Sequence, residues 1–589
     1  MFALMVDQLS WKVGGQQGEG IEKPGDLFAT ALNRLGYYLY GYRHFSSRIK
    51  GGHTNNKIRV STRPMRSLPD DLDILVAFDQ ETIDVNVREL KKGGVVIADL
   101  KFNPALPEDV DVRLVSVPFT EIAKGLGSTL MKNMVAVGAT IGIMDLPIEP
   151  FQEVVTELWG RKGQTVVEKN MAALEEGKKA ALDIVGGPLP EFKLAPADGK
   201  KRLFMIGNEA LALGAIAAGV RFMSAYPITP SSEIMEYLIK TLPKFGGTVI
   251  QTEDELAAIV MAIGANYGGA RAFTASAGPG LSLMTEAIGL AGMTETPVVI
   301  VDTQRGGPST GLPTKQEQSD LNAMVYSTHG EIPKIVIAPS TVEECFYDMA
   351  EAFNLAEEYQ CPVIVLTDLA LSLGKQTVEP LDYDRVEIRR GKYLGDETLP
   401  ERPKEELFKR YEFTLDGISP RTIPGQKYGI HHVTGVEHSE TGRPSETATN
   451  RKKMMDKRLQ KLKGFRIKTP IHVHAPHDRP DILFVGINST EGVIREAMER
   501  LEKEGLKINH IHIRQLYPFP ADDVRPYLEA SEHVFVVEQN ATGQLAQHMI
   551  LNVGYREKIH RILKYDGNPF LPKEIEHEAR ALIKAKELI

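Results

Sequence analysis

Cysteine is nearly missing from this 589-residue chain: there are two, Cys345 and Cys361. That is too few for a disulfide framework, and too few for a cubane iron–sulfur cluster, which takes about four thiolates. Any such cluster has to sit in another chain. An excess of positive charge is also lacking, since the formal net charge is −9, so no basic field marks the chain as a nucleic-acid binder. Long apolar runs are absent as well; none approaches the ~20 residues that a membrane-crossing helix needs. The start, MFALMVDQLSWKVGG, has neither the basic n-region nor the continuous apolar core of a secretion signal. Together these absences lead to an expectation of a cytoplasmic protein with neither membrane nor nucleic acid as partner.

What remains is ordinary globular composition, 42% hydrophobic and 25% charged, in a chain too long for one core. Three or four domains are expected. Over the first 185 residues, strand-like runs LDILVAFD (72–79), GGVVIADL (93–100) and VRLVSVPF (112–119) alternate with helical patterns, the rhythm of an α/β domain. It closes with the amphipathic EKNMAALEEGKKAALDIV (168–185), followed by a Gly/Pro-rich, charged linker at 186–201 and a boundary near 195.

From 202 the alternation resumes, with strands FMSAY (222–226), GTVIQ (247–251), RAFTAS (271–276), PVVIVDT (297–303), KIVIAP (334–339) and PVIVLTD (362–368). Continuous apolar strands of this kind predict a parallel, doubly wound sheet covered on both faces, ending near 378. Residues 379–470 form a charged connecting segment, in which ATNRKKMMDKRLQKLKG (448–464) reads as a basic, solvated or subunit-contacting surface helix. A third α/β unit then runs from 471 to 589, with strands DILFVG (481–486), INHIHIR (508–514) and HVFVVEQ (533–539) and a helix over 491–505. No solenoid-type repeat and no low-complexity tract occurs.

Three glycine-rich stretches could cradle an anion or could simply be turns. VGGQQGEGI (13–21) has no evident preceding strand and lacks G-x-G-x-x-G spacing. In IKGGHTNN (49–56), Lys50 and His53 flank two glycines ahead of a strand. SAGPGLSLM (276–284) lies where a central strand meets a helix, the end of a doubly wound sheet at which ligands bind. In HVHAPHD (472–478), His472, His474 and His477 have a spacing seen in metal sites, yet lie in a proline-containing loop with no convergent carboxylates; no metal ligand is assigned there.

YPITPSSE (226–233) places a hydroxyl between two prolines, each fixing its own φ and holding its predecessor extended. Pro230 suits a first helical position and Thr229 an N-cap, with Glu233 in the first turn of a helix over 231–242. The Thr229 hydroxyl would then either accept a bond from the helix backbone or donate one to a carboxylate bound at that helix end.

YPITPSSE closely resembles the signature of the α chains of 2-oxoacid:ferredoxin oxidoreductases. Further segments resemble the family in the same order: 273–321, which contains QRGGPSTGLPTKQEQSDL, then GVEHSETGR (435–443), LYPFP (516–520) and VVEQNATGQL (536–545). IKGGHTNNKIRVS and, more divergently, GGQQGEGI are similar to its γ region, fused here ahead of the α region. The resemblance implies three α/β domains: a γ-type domain with linker (1–195), a doubly wound pyrimidine-type thiamine diphosphate domain (196–378) and, after the 379–470 connection, a transketolase C-terminal-like domain (471–589). It implies oxidative decarboxylation of a 2-oxoacid to acyl-coenzyme A with electrons to ferredoxin. The GDG motif that holds the diphosphate metal in such enzymes is not found here. The resemblance therefore leaves the diphosphate, Mg²⁺ and a [4Fe–4S] cluster to a β subunit, in an (αβ)₂ assembly, with coenzyme A as co-substrate.

By the same resemblance Glu255, in QTEDELAAIV, is the carboxylate that bonds the cofactor's aminopyrimidine nitrogen and starts its acid–base relay, with Glu253 and Asp254 as neighbours that could take its place. Arg305 and Thr229 are the clamp on the substrate's 1-carboxylate. Ser309, Thr310 and Lys315 belong to the same loop, with Lys315 a partner for a second carboxylate. The GPSTGLPTKQEQSDL and GVEHSETGR segments look most like members acting on 2-oxoglutarate; a broad-specificity or pyruvate-preferring enzyme, and a non-catalytic coenzyme-binding scaffold, are the alternatives.

Overall fold

The computed structural model describes residues 5–46, 51–403 and 405–587, with side chains as far as residue 585. Lys50, set beside His53 above, lies outside them. The chain divides into two compact units: Met1–Met205 with Leu373–Pro380 and Phe570–Glu574, and Ile206–Ser372 with Leu381–Pro569 and Ile575–Ile589. These units cut the chain differently from the segments expected from sequence, because short later strands return to earlier sheets.

The first unit is built on an eight-stranded sheet: Arg113–Val117, Leu90–Asp99, Leu72–Ala77, Gln8–Gln16, His53–Ser61, Tyr38–His44, Lys375–Val378 and Leu203–Met205. The first four are parallel and the later neighbours antiparallel. Gln8–Gln16 corrects the expectation that no strand leads into VGGQQGEGI. Central placement buries all seven residues between its ends, so no alternation shows. Its polar members are satisfied locally: Ser10 Oγ donates to Asp73 Oδ2 (2.9 Å) and Lys12 Nζ to Asn86 Oδ1 (2.9 Å). Close packing accounts for the first glycines of that stretch, since a Cβ at Gly14 would come 2.7 Å from Thr82 Cγ2 and one at Gly15 2.6 Å from Ile21 Cδ1.

The second unit contains two sheets. One has seven strands in the order Gln515–Tyr517, Ile335–Ile337, Pro362–Asp368, Val298–Gln304, Ala272–Ser276, Phe222–Ala225 and Thr248–Gln251, all parallel except the first. The other has five: Ile471–His474, Ile508–Ile513, Ile482–Gly486, His533–Glu538 and Ile559–Leu563, the first antiparallel to the rest. Both sheets feed one hydrophobic cluster, in which Ile259, Leu281, Ile300 and Leu366 join Leu483, Ile511, Val536 and Leu545. Shared apolar burial is the dominant favourable term in holding two such layers together. The edge strand Gln515–Tyr517 adds backbone pairing to Ile335–Ile337.

Within the connecting segment, the helix Ala448–Gln460 departs from a solvated basic surface. Lys457 and Arg458, and Lys461 just beyond the helix, are buried. Lys457 Nζ and Lys461 Nζ both reach the fully buried Glu295 carboxylate (2.7 and 2.5 Å), while Arg458 pairs with Glu437 (2.7 Å). Burial opposes the charge on Glu295, but the two ammonium groups hold its carboxyl well below the usual range.

The histidines of HVHAPHD are not in a loop throughout: His472 and His474 lie on the strand Ile471–His474. His472 sits between Glu344 (2.6 Å) and Glu491 (3.4 Å). Burial works against its charge, yet the two carboxylates raise it to about 9. Among the described residues no group of three or more His, Cys, Asp or Glu side chains could hold a metal ion, and no helix is long and apolar enough to cross a membrane. Both cysteines are free and buried, and burial pushes the Cys361 thiol up to about 12.

Two measurements follow from these buried ion pairs. Glu295→Gln should destabilise the protein by about 3–5 kcal/mol, because it leaves two buried ammonium groups without a counter-charge; Lys457→Met added to it should recover part of the lost Tm. His472, whose folded pKa of about 9 lies above its ordinary 6.5, contributes stability fully below pH 6.5 and loses it as pH rises through 9. The Tm advantage of wild type over His472→Gln should shrink across that window.

Candidate active site

Three central strands, Phe222–Ala225, Ala272–Ser276 and Val298–Gln304, end side by side, and the segments that leave them build the site. After the first, Ser231 N and Ser232 N both donate to Ile228 O (2.9 and 3.1 Å), closing a turn ahead of the helix Ser232–Thr241. This corrects the expected cap: Ser231, not Thr229, stands at the N-cap, and no side chain caps the helix. The first amides are satisfied by Ile228, so the Thr229 hydroxyl is not drawn into capping. The Thr229–Pro230 peptide is cis.

Thr229 contributes its carbonyl instead, which accepts a bond from Arg305 Nη1 at 2.7 Å. Arg305 is only 6% exposed; its Nη2 donates to Thr310 O (3.4 Å) and its Nε has no partner among the described residues. Burial lowers its pKa, with the Asp320 carboxylate opposing, but a guanidinium stays charged. A buried cation whose neighbours are mostly backbone carbonyls is suited to accept a carboxylate ligand.

Arg305 lines a cavity of about 710 Å³, together with Gly278, Pro279 and Ser282 at a helix N-terminus, residues 306–309, Glu317, Ser319 and Asp320, and residues 540–542 with Gln544 from the last domain. That helix, Gly278–Met293, opens with its amides already answered: Gly280 N (2.8 Å) and Leu281 N (3.1 Å) donate to Ala277 O, Pro279 has no N–H, and the Gly278 amide meets the Asp320 carboxylate. The loop after Val298–Gln304 is fastened to the last domain by amides. Gln318 Nε2 donates to Ile487 O (3.2 Å) as well as to Asp368 Oδ2 (2.8 Å) at the end of a central strand, Asn540 Nδ2 to Gln318 O (3.0 Å) and Gln544 Nε2 to Ser319 O (2.7 Å). NATGQL thus acts as a clip whose own anchor is Glu538, which accepts from Leu545 N (2.7 Å) and Ala546 N (3.0 Å).

Of the three neighbouring acids, Glu253 is exposed and Asp254 caps the helix Glu255–Tyr267 by accepting from Ala257 N (2.8 Å). Glu255 is the buried one, at 7% exposure. Its carboxylate lies against the first turn of the helix Gly278–Met293: a Cβ on Gly280 would come 2.7 Å from Glu255 Oε1 and would overlap Ser276 Oγ. Ser276 Oγ is buried without a partner among the described residues. A buried carboxylate in a cradle kept open by glycine, with a hydroxyl beside it, fits the ring nitrogen of an aminopyrimidine. The residues present therefore suit the pyrimidine end of thiamine diphosphate.

Glu255, Thr229 and Arg305 thus gather around the ends of adjacent strands. Lys315 does not join the cavity wall: its stem runs along Gly567, and burial lowers its pKa against the pull of the Asp566 carboxylate. Ser309 lines the cavity; Thr310 does not, and enters through its carbonyl. Four groups escape the sequence reading. Glu317 and Asp320 stand in the wall, Glu317 accepting from Gly307 N (3.1 Å); burial raises both, Asp320 to about 6 with the Glu317 charge adding to it. Behind them lie Asp302 and Ser276, polar residues at core-facing positions of apolar strands, which is the one signal that could have singled them out.

Three family models cover most of the chain. "Pyruvate flavodoxin/ferredoxin oxidoreductase, thiamine diP-bdg" matches residues 213–457, "Pyruvate ferredoxin/flavodoxin oxidoreductase" residues 10–180 and "Pyruvate:ferredoxin oxidoreductase core domain II" residues 480–575. The 2-oxoacid:ferredoxin oxidoreductase subunit alpha of Saccharolobus solfataricus is 34% identical, over 98% of each chain. The 2-oxoglutarate synthase subunit KorA of Methanocaldococcus jannaschii is 37% identical over 63% of this chain and 98% of its own. Among solved structures, 2-oxoglutarate:ferredoxin oxidoreductase from Magnetococcus marinus, with 2-oxoglutarate, coenzyme A and succinyl-CoA bound, superposes with a TM-score of 0.90 at 36% identity, covering 98% of this chain and 99% of that one. With the site geometry and these full-length relatives in agreement, the chain belongs to the α subunits of the 2-oxoacid:ferredoxin oxidoreductases.

Proposed function

We propose that this α subunit, joined to a separate β subunit, oxidatively decarboxylates 2-oxoglutarate to an acyl-coenzyme A and passes the electrons to ferredoxin. The observation that carries the reading is the Arg305–Thr229 contact on a cavity whose helix N-terminus also shelters Glu255. The ligands named for the Magnetococcus marinus structure favour 2-oxoglutarate over pyruvate. With two buried cysteines and no GDG segment, the Mg²⁺ site and the [4Fe–4S] cluster fall to the β subunit, in an (αβ)₂ assembly. Leu256, Val260 and Met261 are 47%, 52% and 39% exposed on the helix that begins with Glu255, an apolar face for that subunit to cover.

When bound, thiamine diphosphate supplies a nucleophilic carbon and an electron sink for decarboxylation. The Glu255 carboxyl and the pyrimidine ring nitrogen would share one proton, the nitrogen accepting the hydrogen bond when the acid holds it. Arg305, braced by two backbone carbonyls, turns its remaining donors to the 1-carboxylate of the 2-oxoacid. The Thr229 hydroxyl, left out of helix capping, adds a donor beside it. Clipping residues 316–320 to the last domain keeps the Arg305 loop in register with these groups.

Purified with its β subunit, the protein should reduce a viologen dye with coenzyme A and 2-oxoglutarate faster than with pyruvate. Glu255→Gln should lower kcat by roughly 10²-fold or more, the usual weight of a general acid–base group. Arg305→Ala should act chiefly on KM and reduce kcat/KM by roughly tenfold or more, the loss of a charge-assisted bond. Wild-type turnover in both variants would make the chain a scaffold and overturn the reading. Gly280→Ala supplies a steric check: the added methyl fills the cradle at Glu255 and Ser276, so cofactor affinity should fall, and Tm without cofactor should fall as well, with the loss of about 1–3 kcal/mol that overpacking a core costs.

A further inference from the structure

We infer that Asn208 is a positioning residue for the 2-oxoacid: it fixes the Thr229–Pro230 turn and, through that turn, the direction of the Arg305 guanidinium. The inference rests on the reading of Arg305 as the clamp on the 1-carboxylate. Asn208 lies outside the cavity wall, as the second residue of the helix Gly207–Ala217, and is 0% exposed. Its Nδ2 donates to Pro230 O at 2.6 Å. A carbonyl oxygen only accepts, so this bond also decides which way the amide faces. Oδ1 is thereby turned into the interior, where it has no partner among the described residues. An unanswered buried oxygen costs stability, and a side chain kept at that cost is kept for the bond its other end makes.

Asn208 stands on rigid ground. Gly207 seats its helix so closely on the neighbouring backbone that a Cβ there would come 2.4 Å from Leu371 O, and further along a Cβ on Gly214 would come 2.2 Å from Phe346 O. Glu209 Oε2 accepts from Ile206 N (3.2 Å) and holds the first turn closed. The turn that Asn208 reaches is less supported. It begins with two exposed residues, Tyr226 and Pro227, and closes on itself through the Ser231 and Ser232 amides at Ile228 O.

The backbone between Thr229 O and Pro230 O has one soft torsion. The peptide joining the two residues is planar and the proline ring fixes φ, which leaves ψ of Pro230. Holding Pro230 O therefore holds Thr229 O to within that rotation, and Thr229 O accepts from Arg305 Nη1 at 2.7 Å. The other brace on the guanidinium, from Nη2 to Thr310 O, is longer at 3.4 Å. Asn208 thus stands behind the shorter brace, joined to it by two hydrogen bonds and one stiff dipeptide. A guanidinium is a planar fork, and its grip on a carboxylate depends on how that plane is turned.

The test measures viologen-dye reduction by the assembled α–β enzyme with 2-oxoglutarate as the varied substrate. Asn208→Ala removes the donor and should raise KM roughly three- to tenfold, the weight of one hydrogen bond, with little change in kcat. Asn208→Asp sets a carboxylate oxygen against Pro230 O and should raise KM further. Thiamine diphosphate affinity, read by calorimetric titration, should stay at the wild-type value in both, since the cradle at Glu255 is built by other helices. In a double-mutant cycle, the penalty of Asn208→Ala should vanish in an Arg305→Ala background. Wild-type KM in Asn208→Ala, a penalty undiminished beside Arg305→Ala, or a loss of cofactor affinity equal to the change in KM overturns the inference and leaves the clamp standing. Wild-type KM in Arg305→Ala alone overturns the clamp, and the inference with it. Should either Asn208 variant fail to fold, the other decides by the same cycle.

Discussion

One hydrogen bond, from the Arg305 guanidinium to the Thr229 carbonyl, ties the loop after one central strand to the turn after another that lies two places away in the sheet. Between those strands runs Ala272–Ser276, whose following helix begins at Gly278 and sets its first turn in the wall of the same cavity. A carboxylate clamp, a helix N-terminus and the buried Glu255 are thus gathered by three consecutive strand ends. Because parallel strands all finish on one side of the sheet, the connections leaving them converge there without any long-range steering.

The last domain is what keeps this gathering in place. It shares a hydrophobic cluster with the central sheet, lends it an edge strand, and clips residues 316–320 through Gln539, Asn540 and Gln544. Buried polar networks of this kind are costly unless every member is satisfied, and here the amides answer one another. The contrast with Asp302 and Ser276, buried yet unanswered, is sharpest at the site itself. Polar groups left in that condition are expected where a protein has a use for them other than stability.

Most of the strands were legible because an apolar run of four to seven residues bounded by glycine, proline or charge has few other uses in an α/β chain. Gln8–Gln16 was not, since its glycines, serine and lysine are paid for by partners distant in sequence such as Asp73 and Asn86. Lys375–Val378 and Gln515–Tyr517 are too short to announce which sheet they join. Lys457, Arg458 and Lys461 read as surface cations because their counter-charges, Glu295 and Glu437, stand elsewhere in the chain. Thr229 looked like an N-cap by its neighbours, and the turn closed on Ile228 moved that role to Ser231.

By itself the sequence determined the class of the fold, the family through a run of motifs in order, and the kinds of group available: a glutamate, an arginine and a threonine beside strand ends. Residue type and local periodicity are properties of short stretches, so a string carries them. Only the tertiary structure decided which acid of the 253–255 trio is buried, that Thr229 meets Arg305 through its carbonyl, that Lys315 turns toward Gly567, and that Asp302 sits beside Ser276 on the neighbouring strand. Each of these depends on groups 20 or more residues apart arriving at the same few ångströms, which strand register and packing set and local sequence does not.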